Sequence, residues 1–206
     1  MTPRSLVAIA ILGLAAAPAG CGSSGGSSAA SSSTAAAKGA TPVAGALTPE
    51  AQSAATGDIP DNQVFLAFRD APAHYSIQFP EGWAQTGAGR DVTFSEKNNL
   101  VHIVVLAGGM PAPASVRSEL DRLRASTPGL SFTPPAPIKV TAGPAIKSTY
   151  TTLSAPNPVT GKRVVLVVDR YELAHGGERA IVDLGTAKGV DNVDAYRMMI
   201  NSFRWQ

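Results

Sequence analysis

The chain has 206 residues, of which 16% are charged and 44% hydrophobic, and its formal net charge is +2. That length allows one domain with appendages, and so even a charge balance argues against nucleic acid as a partner, because phosphate backbones are held by a basic face that displaces counterions. Cys21 is the single cysteine, so the folded part carries no internal disulfide.

The first twenty residues read as an address. Arg4 and the amino terminus form a short positive region, and Leu6 to Ala17 is an unbroken run of apolar and small residues. Such a run suits a secretory leader and is too short to cross a bilayer as a helix. Pro18-Ala19-Gly20-Cys21 follows. This stretch resembles a bacterial lipoprotein signal, cut before a cysteine that then receives a diacylglyceryl group. The resemblance implies cleavage after residue 20 and lipidation of Cys21. Pro18 stands where that signal usually carries Leu or another aliphatic residue. Ordinary secretion after a cut near Ala17-Pro18-Ala19 is the alternative.

Residues 21–58 read as a tether. Gly22-Ser23-Ser24-Gly25-Gly26 opens a Ser-, Ala- and Thr-rich stretch with few charges, and such composition buries too little apolar surface to offset its conformational entropy. As a flexible coil of about 35 residues it would span roughly 30–35 Å. Thr48-Pro49-Glu50 could cap a short helix through Ala55.

Residues 59–206 have the texture of one α+β domain. Val64 to Phe68 reads as a strand, and His74 to Phe79 as a second, with Tyr75, Ile77 and Phe79 alternating against His74, Ser76 and Gln78. Pro80-Glu81-Gly82-Trp83 makes a turn. Asp91 to Glu96 alternates again, Asn98-Asn99 signals a hairpin, and Leu100 to Leu106 is continuous enough for a central strand. The period then changes. Val116, Leu120 and Leu123 form one stripe between Pro113 and Ser126, with Arg117, Glu119, Asp121, Arg122 and Arg124 around it, which predicts a helix ended by Pro128-Gly129. After a Pro-rich connection come strands at Ile138 to Thr141 leading into Ala145 to Leu153, at Arg163 to Leu173 and at Arg179 to Gly185, the last two joined at His175-Gly176-Gly177. A closing helix opens at Asp191 with a stripe of Val193, Tyr196, Met199, Ile200 and Phe203, and Trp205 sits at its end. The expected architecture is an antiparallel sheet of about six or more strands covered by two helices.

The segment Tyr75-Ser76-Ile77-Gln78-Phe79-Pro80-Glu81-Gly82-Trp83 and the ending Ser202-Phe203-Arg204-Trp205 are similar to the corresponding parts of PsbP-like and Mog1-like domains. Actinobacterial lipoproteins of the LpqN type look like a related use of such a domain behind a lipid anchor. The resemblance implies an α/β/α sandwich that acts as a binding or assembly module, and it carries over no catalytic residue.

His74, His102 and His175 fall on separate elements without ligand spacing. His102, inside the most apolar strand, reads as bonded to a neighbouring strand or placed at the sheet edge, with a ligand or proton-relay role as the sharper alternative. Asp169, Glu172, Glu178 and Asp183 interleave with Arg170 and Arg179 and read as cross-strand ion pairs rather than an acid/base pair. Gly87-Ala88-Gly89 and Gly108-Gly109 lack the Lys-Ser/Thr of a phosphate loop and read as turns. Trp83 and Trp205 are expected to pack over the sheet. No catalytic, cofactor or metal residue is expected, and the one assigned site is lipidation at Cys21. The functional expectation is a membrane-anchored, extracytoplasmic binding or scaffolding lipoprotein, with an envelope protein or a small apolar ligand as partner. A carrier of a lipid or other apolar ligand is the first alternative, and a hydrolase with an unpaired site is the second.

Overall fold

The computed structural model describes residues 57–206, so the leader, Cys21, the tether as far as residue 56 and the short helix through Ala55 lie outside the described residues. Alternation within strands decides the layers. β1 (Phe65–Asp70) and β2 (Tyr75–Pro80) pair as an antiparallel hairpin, followed by β3 (Ala84–Ala88), β4 (Asp91–Glu96) and β5 (Asn99–Ala107). Helix α1 (Pro113–Ser126) comes next, then β6 (Ser131–Phe132), β7 (Ala136–Val140), β8 (Gly143–Leu153), β9 (Val165–His175) and β10 (Glu178–Ala187). Helix α2 (Val193–Ser202) and β11 (Arg204–Trp205) close the chain.

The main sheet has eight antiparallel strands in the order β3-β4-β5-β10-β9-β8-β6, with β7 also paired to β8. On β9, Leu166 and Val168 face one side with Arg170 and Glu172, while Tyr171 and Leu173 face the other. The first side packs under α1, whose Val116 and Leu120 meet Leu130, Ile146 and Tyr150. The second side holds the larger core and packs against Tyr196, Met199 and Ile200 of α2. The two helices therefore cover opposite faces of the sheet, and the fold is α+β with the layering expected of it.

Four features differ from the sequence reading. β1, β2 and β11 leave the main sheet and form a three-stranded sheet of their own, order β1-β2-β11. Its inner face adds Tyr75, Ile77 and Phe68 to the core, where Phe68 lies 5.2 Å from Phe94 and Phe79 lies 3.9 Å from Phe94 between ring centroids. Trp205 belongs to this sheet as part of β11 and does not merely end a helix. β3 occupies Ala84–Ala88, where the sequence suggests only a turn at Gly87-Ala88-Gly89; every one of its residues is exposed, and it is an edge strand held by backbone pairing to β4. Helix α2 begins at Val193, and Val193 itself is 60% exposed instead of joining the buried stripe.

The turns follow their residues. Gly176 and Gly177 both have positive φ, 58° and 83°, the conformation a tight two-residue hairpin needs and glycine adopts without a Cβ clash. At the β4–β5 hairpin the turn falls on Lys97-Asn98 and not on Asn98-Asn99. Asn99 instead begins β5, buried.

Candidate functional site

Two concavities flank α2, and the more enclosed is a cleft of about 350 Å³ between its first turns and the main sheet. The sheet supplies Lys147 from β8, Val167, Asp169 and Tyr171 from β9, and Leu184 and Thr186 from β10. These positions share a face because strand residues two apart point the same way, and register places Lys147 opposite Tyr171 and Thr149 opposite Asp169. The connection from β10 and the start of α2 form the other wall with Val190, Asn192, Val193, Tyr196 and Arg197.

The cleft has an apolar floor and a charged rim. Val167, Leu184 and Val190 line it, and the same sheet face runs out to the registered pair Leu153 and Val165, 44% and 41% exposed. On the rim, Lys147 Nζ lies 2.8 Å from Asp169 Oδ2, and Thr149 Oγ1 donates to Asp169 Oδ1 at 2.6 Å. The ammonium also stands 5.2 Å from the centroid of the Tyr171 ring, a cation–π distance. Burial works to lower the lysine's pKa, yet hydrogen bonds to Asp169 and Tyr171 and the nearby carboxylate prevail and raise it. Arg197 projects to solvent and pairs with Asp194 at 2.7 Å. A lysine nucleophile or base needs its ammonium destabilised. Lys147 is stabilised, and Asp169 has both oxygens engaged.

The mouth of the cleft is stitched to the start of the domain. Asn192, 3% exposed, sets Nδ2 3.1, 3.1 and 3.0 Å from Gly57 O, Asn99 Oδ1 and Thr186 Oγ1, acceptors that share its two N–H groups. Its Oδ1 accepts from Ile59 N at 2.8 Å. Buried amides satisfied in this way fix one geometry, because any break leaves a desolvated polar group. Gly57 and Ile59, at the start of the described residues, are therefore tied beside the cleft.

The residues singled out in the sequence scatter. His74 is exposed and faces Glu178, which also pairs with Arg90. His175 is exposed, its ring 6.3 Å from that of Trp205. His102 Nε2 lies 2.9 Å from Asp91 Oδ1 on the neighbouring strand, the cross-strand bond that the plainer reading named. Trp83 is buried in the core. Of the four carboxylates near the last hairpin, Asp169 faces the cleft and Glu178 faces Arg90 and His74. Glu172 and Asp183 lie on the opposite face, under α1. There Arg170 grips Asp183 through Nε and Nη2 at 2.8 and 2.7 Å, and Tyr150 donates to Asp183 Oδ2 at 3.1 Å. Arg179 bridges Glu172 to Glu119 of α1. These are the cross-strand ion pairs expected, extended by a contact to the helix.

Lys147, Thr149 and Asn192 drew no attention in the sequence. The available signal was a lysine on the alternating face of β8, which only the strand register turns into a partner for Asp169 and Tyr171.

No protein-family model matches the chain, and no curated protein matches it. Solved structures with a similar fold include the cyanobacterial PsbP of Synechocystis, at 14% identity over 73% of this chain and 98% of that one, TM-score 0.49. Yeast Mog1p, a Ran-binding protein of Saccharomyces cerevisiae, shares 9% identity over 68% and 95% of the two chains, TM-score 0.42. LpqN of Mycobacterium tuberculosis, described as involved in cell envelope biogenesis, shares 13% over 70% and 85%, TM-score 0.35. The chain spans about half, 48%, of a Bacteroides thetaiotaomicron protein that it matches at 14% identity over 68% of its own length, TM-score 0.47.

Proposed function

We propose that this chain is an extracytoplasmic lipoprotein, anchored through Cys21, whose domain recognises a partner at the α2 cleft and performs no chemistry on it. The observation that carries the recognition half is the state of the cleft's charges. Lys147 and Asp169 neutralise one another over an apolar floor, and the lysine is held protonated. Such a pair orients and selects a ligand, whereas a catalytic lysine or carboxylate keeps a free lone pair at neutral pH. The anchoring half rests on the leader, on Cys21 and on the composition of residues 21–56. Among the described residues no helix is long and apolar enough to cross a membrane.

The occupant is an apolar group of a partner protein in the envelope. At about 350 Å³ the cleft is near the lower end of small-ligand sites, which suits an inserted side chain or two. A carrier of a small apolar ligand is the second reading, favoured by the valine-lined floor. A photo-crosslinking residue at Val193 in intact cells, with exposed Arg122 of α1 as the control position, separates them. The scaffold reading expects a discrete protein adduct at position 193 that Val190→Asp abolishes. Adducts to lipid alone would replace it with the carrier. Adducts indistinguishable from those at position 122 would sink both.

A further inference from the structure

The second concavity beside α2, of about 430 Å³, lies over the outer face of the three-stranded sheet and has a different chemistry. Its walls are Ala67, Arg69, Ser76 and Gln78 of the sheet, Arg204 of β11, and Met198, Asn201 and Ser202 of α2. Register sets Arg69 and Arg204 on either side of Ser76, since each is the direct partner of that serine across its own ladder. Adjacent strands are about 4.8 Å apart, so the row Arg69–Ser76–Arg204 crosses the sheet within some 10 Å, within the reach of two arginine side chains. No acidic residue lines the groove, and neither arginine pairs with a carboxylate among the described residues.

Both guanidiniums are pinned by neutral groups. Arg69 donates through Nη1 to Gln206 Oε1 at 2.6 Å, and Gln206 in turn donates through Nε2 to Ser76 Oγ at 2.9 Å. Arg204 donates through Nη1 to the carbonyls of Asn201 and Phe203, at 2.7 and 2.6 Å. Each arginine is thus positioned through one nitrogen, keeps its charge uncompensated and has further N–H groups to offer. Two positioned arginines on either side of a hydroxyl bring together the donors that a phosphate takes, and arginine binds such oxyanions in bidentate fashion.

We propose that the outer face of the three-stranded sheet is a phosphate-binding site, with Arg69 and Arg204 contacting the phosphate oxygens and Ser76 supplying a hydroxyl between them. The phosphate belongs either to a soluble molecule or to a lipid headgroup, and the site is independent of the α2 cleft. The test is calorimetric titration of inorganic phosphate into the full chain carrying Cys21→Ser, at low ionic strength. Saturable binding is expected, weakened about tenfold or more by Arg69→Gln and by Arg204→Gln, as befits loss of a charge-assisted fork. Arg69→Lys keeps the charge without the fork and should fall between. Arg122→Gln removes the same charge from exposed α1 and should bind as the native chain does. A second arm presents phosphatidylcholine vesicles with and without phosphatidylglycerol. Vesicle binding that needs phosphatidylglycerol and both arginines assigns the phosphate to a lipid, and phosphate binding without vesicle binding assigns it to a soluble molecule. Arg204 also ties down the end of α2, so unfolding midpoints accompany the titrations, and Arg69, held only by a side chain, keeps the test valid if Arg204→Gln is unstable. Absence of binding in both arms, or an Arg122→Gln loss equal to that of Arg69→Gln, overturns the proposal.

Discussion

Glu172 is the most buried acid among the described residues, with no exposed surface, and Arg179 is the one side chain there that hydrogen-bonds it. Its Oε1 has no hydrogen-bond partner, an expensive state for an ionised carboxylate. Burial raises its pKa above the ordinary 4.5, and this outweighs the pull of Arg179 in the other direction. A raised pKa means that the folded state binds the proton more tightly than the unfolded state does. The stabilising contribution is therefore complete below pH 4.5 and is lost as pH rises through the folded-state value. Glu172→Gln removes that ionisation while keeping an acceptor for Arg179, which retains Glu119 as its charge partner. Unfolding midpoints of the two chains should coincide near pH 4 and separate in favour of Glu172→Gln as pH rises toward 7. A gap that stays constant with pH, or that closes as pH rises, would show that Glu172 is not ionising against burial. The pair beside it behaves differently: Asp183 is fully answered by Arg170 and Tyr150. Removing the acid strands a largely buried guanidinium, 15% exposed, so Asp183→Ala is expected to cost about 3–5 kcal/mol, measurable by denaturant titration.

At the scale of elements, α2 does more than cover the sheet. Its buried stripe of Tyr196, Met199 and Ile200 anchors it, its start borders the cleft, and its end borders the arginine groove. Asn192, just before it, binds the entering chain, β5 and β10 at once. Asn192→Ala leaves several buried polar groups unsatisfied and should cost about 2–4 kcal/mol in denaturant unfolding, since each such group is worth roughly 1–3 kcal/mol. Hydrogen exchange should quicken at the amide of Ile59, which donates to Asn192, more than in α1. Unchanged protection at Ile59 would remove the stitching role. Elements with a period were legible in the sequence: α1 runs from Pro113 to Ser126 as the stripe of Val116, Leu120 and Leu123 indicates, and β2 alternates as its pattern indicates, though it begins at Tyr75 and not at His74, which turns with a φ of 55°. β3 was not legible, because an edge strand exposed at every residue is specified by its neighbour's backbone and not by its own side chains. The site was legible least. Lys147 and Asp169 lie 22 positions apart in the sequence, and Arg69 and Arg204 belong to opposite ends of the domain. Only strand register brings such pairs together, and no local pattern encodes register between distant strands.

At the scale of the whole molecule, a lipid on Cys21 would change how the α2 cleft meets its partner. Residues 21–56 join Gly57 to Cys21, and Gly57 is bonded to Asn192 at the cleft mouth. A two-chain lipid on Cys21 would hold the protein at a membrane, since each buried methylene contributes about 0.8 kcal/mol and a single acyl chain gives only marginal binding. Were residues 21–56 the tether that their composition suggests, with a reach of roughly 30–35 Å, the anchored domain would search a thin layer at high effective concentration, and a weak cleft would suffice for a partner confined to that layer. Intact mass and detergent partitioning of the native chain and of Cys21→Ser decide the matter. Anchoring expects a diacylglyceryl mass on the native chain alone, entry of that chain alone into the detergent phase, and release of Cys21→Ser into the aqueous phase. Native chain found in the medium without acyl mass, cut ahead of Cys21, would mean that Pro18 defeats the lipidation signal. The domain would then meet its partners by free diffusion, and the cleft would have to bind tightly by itself. Crosslinking at Val193 in the Cys21→Ser background tests that consequence directly. Confinement predicts that the adduct seen with the native chain weakens sharply when the anchor is lost, with the isolated domain's stability unchanged.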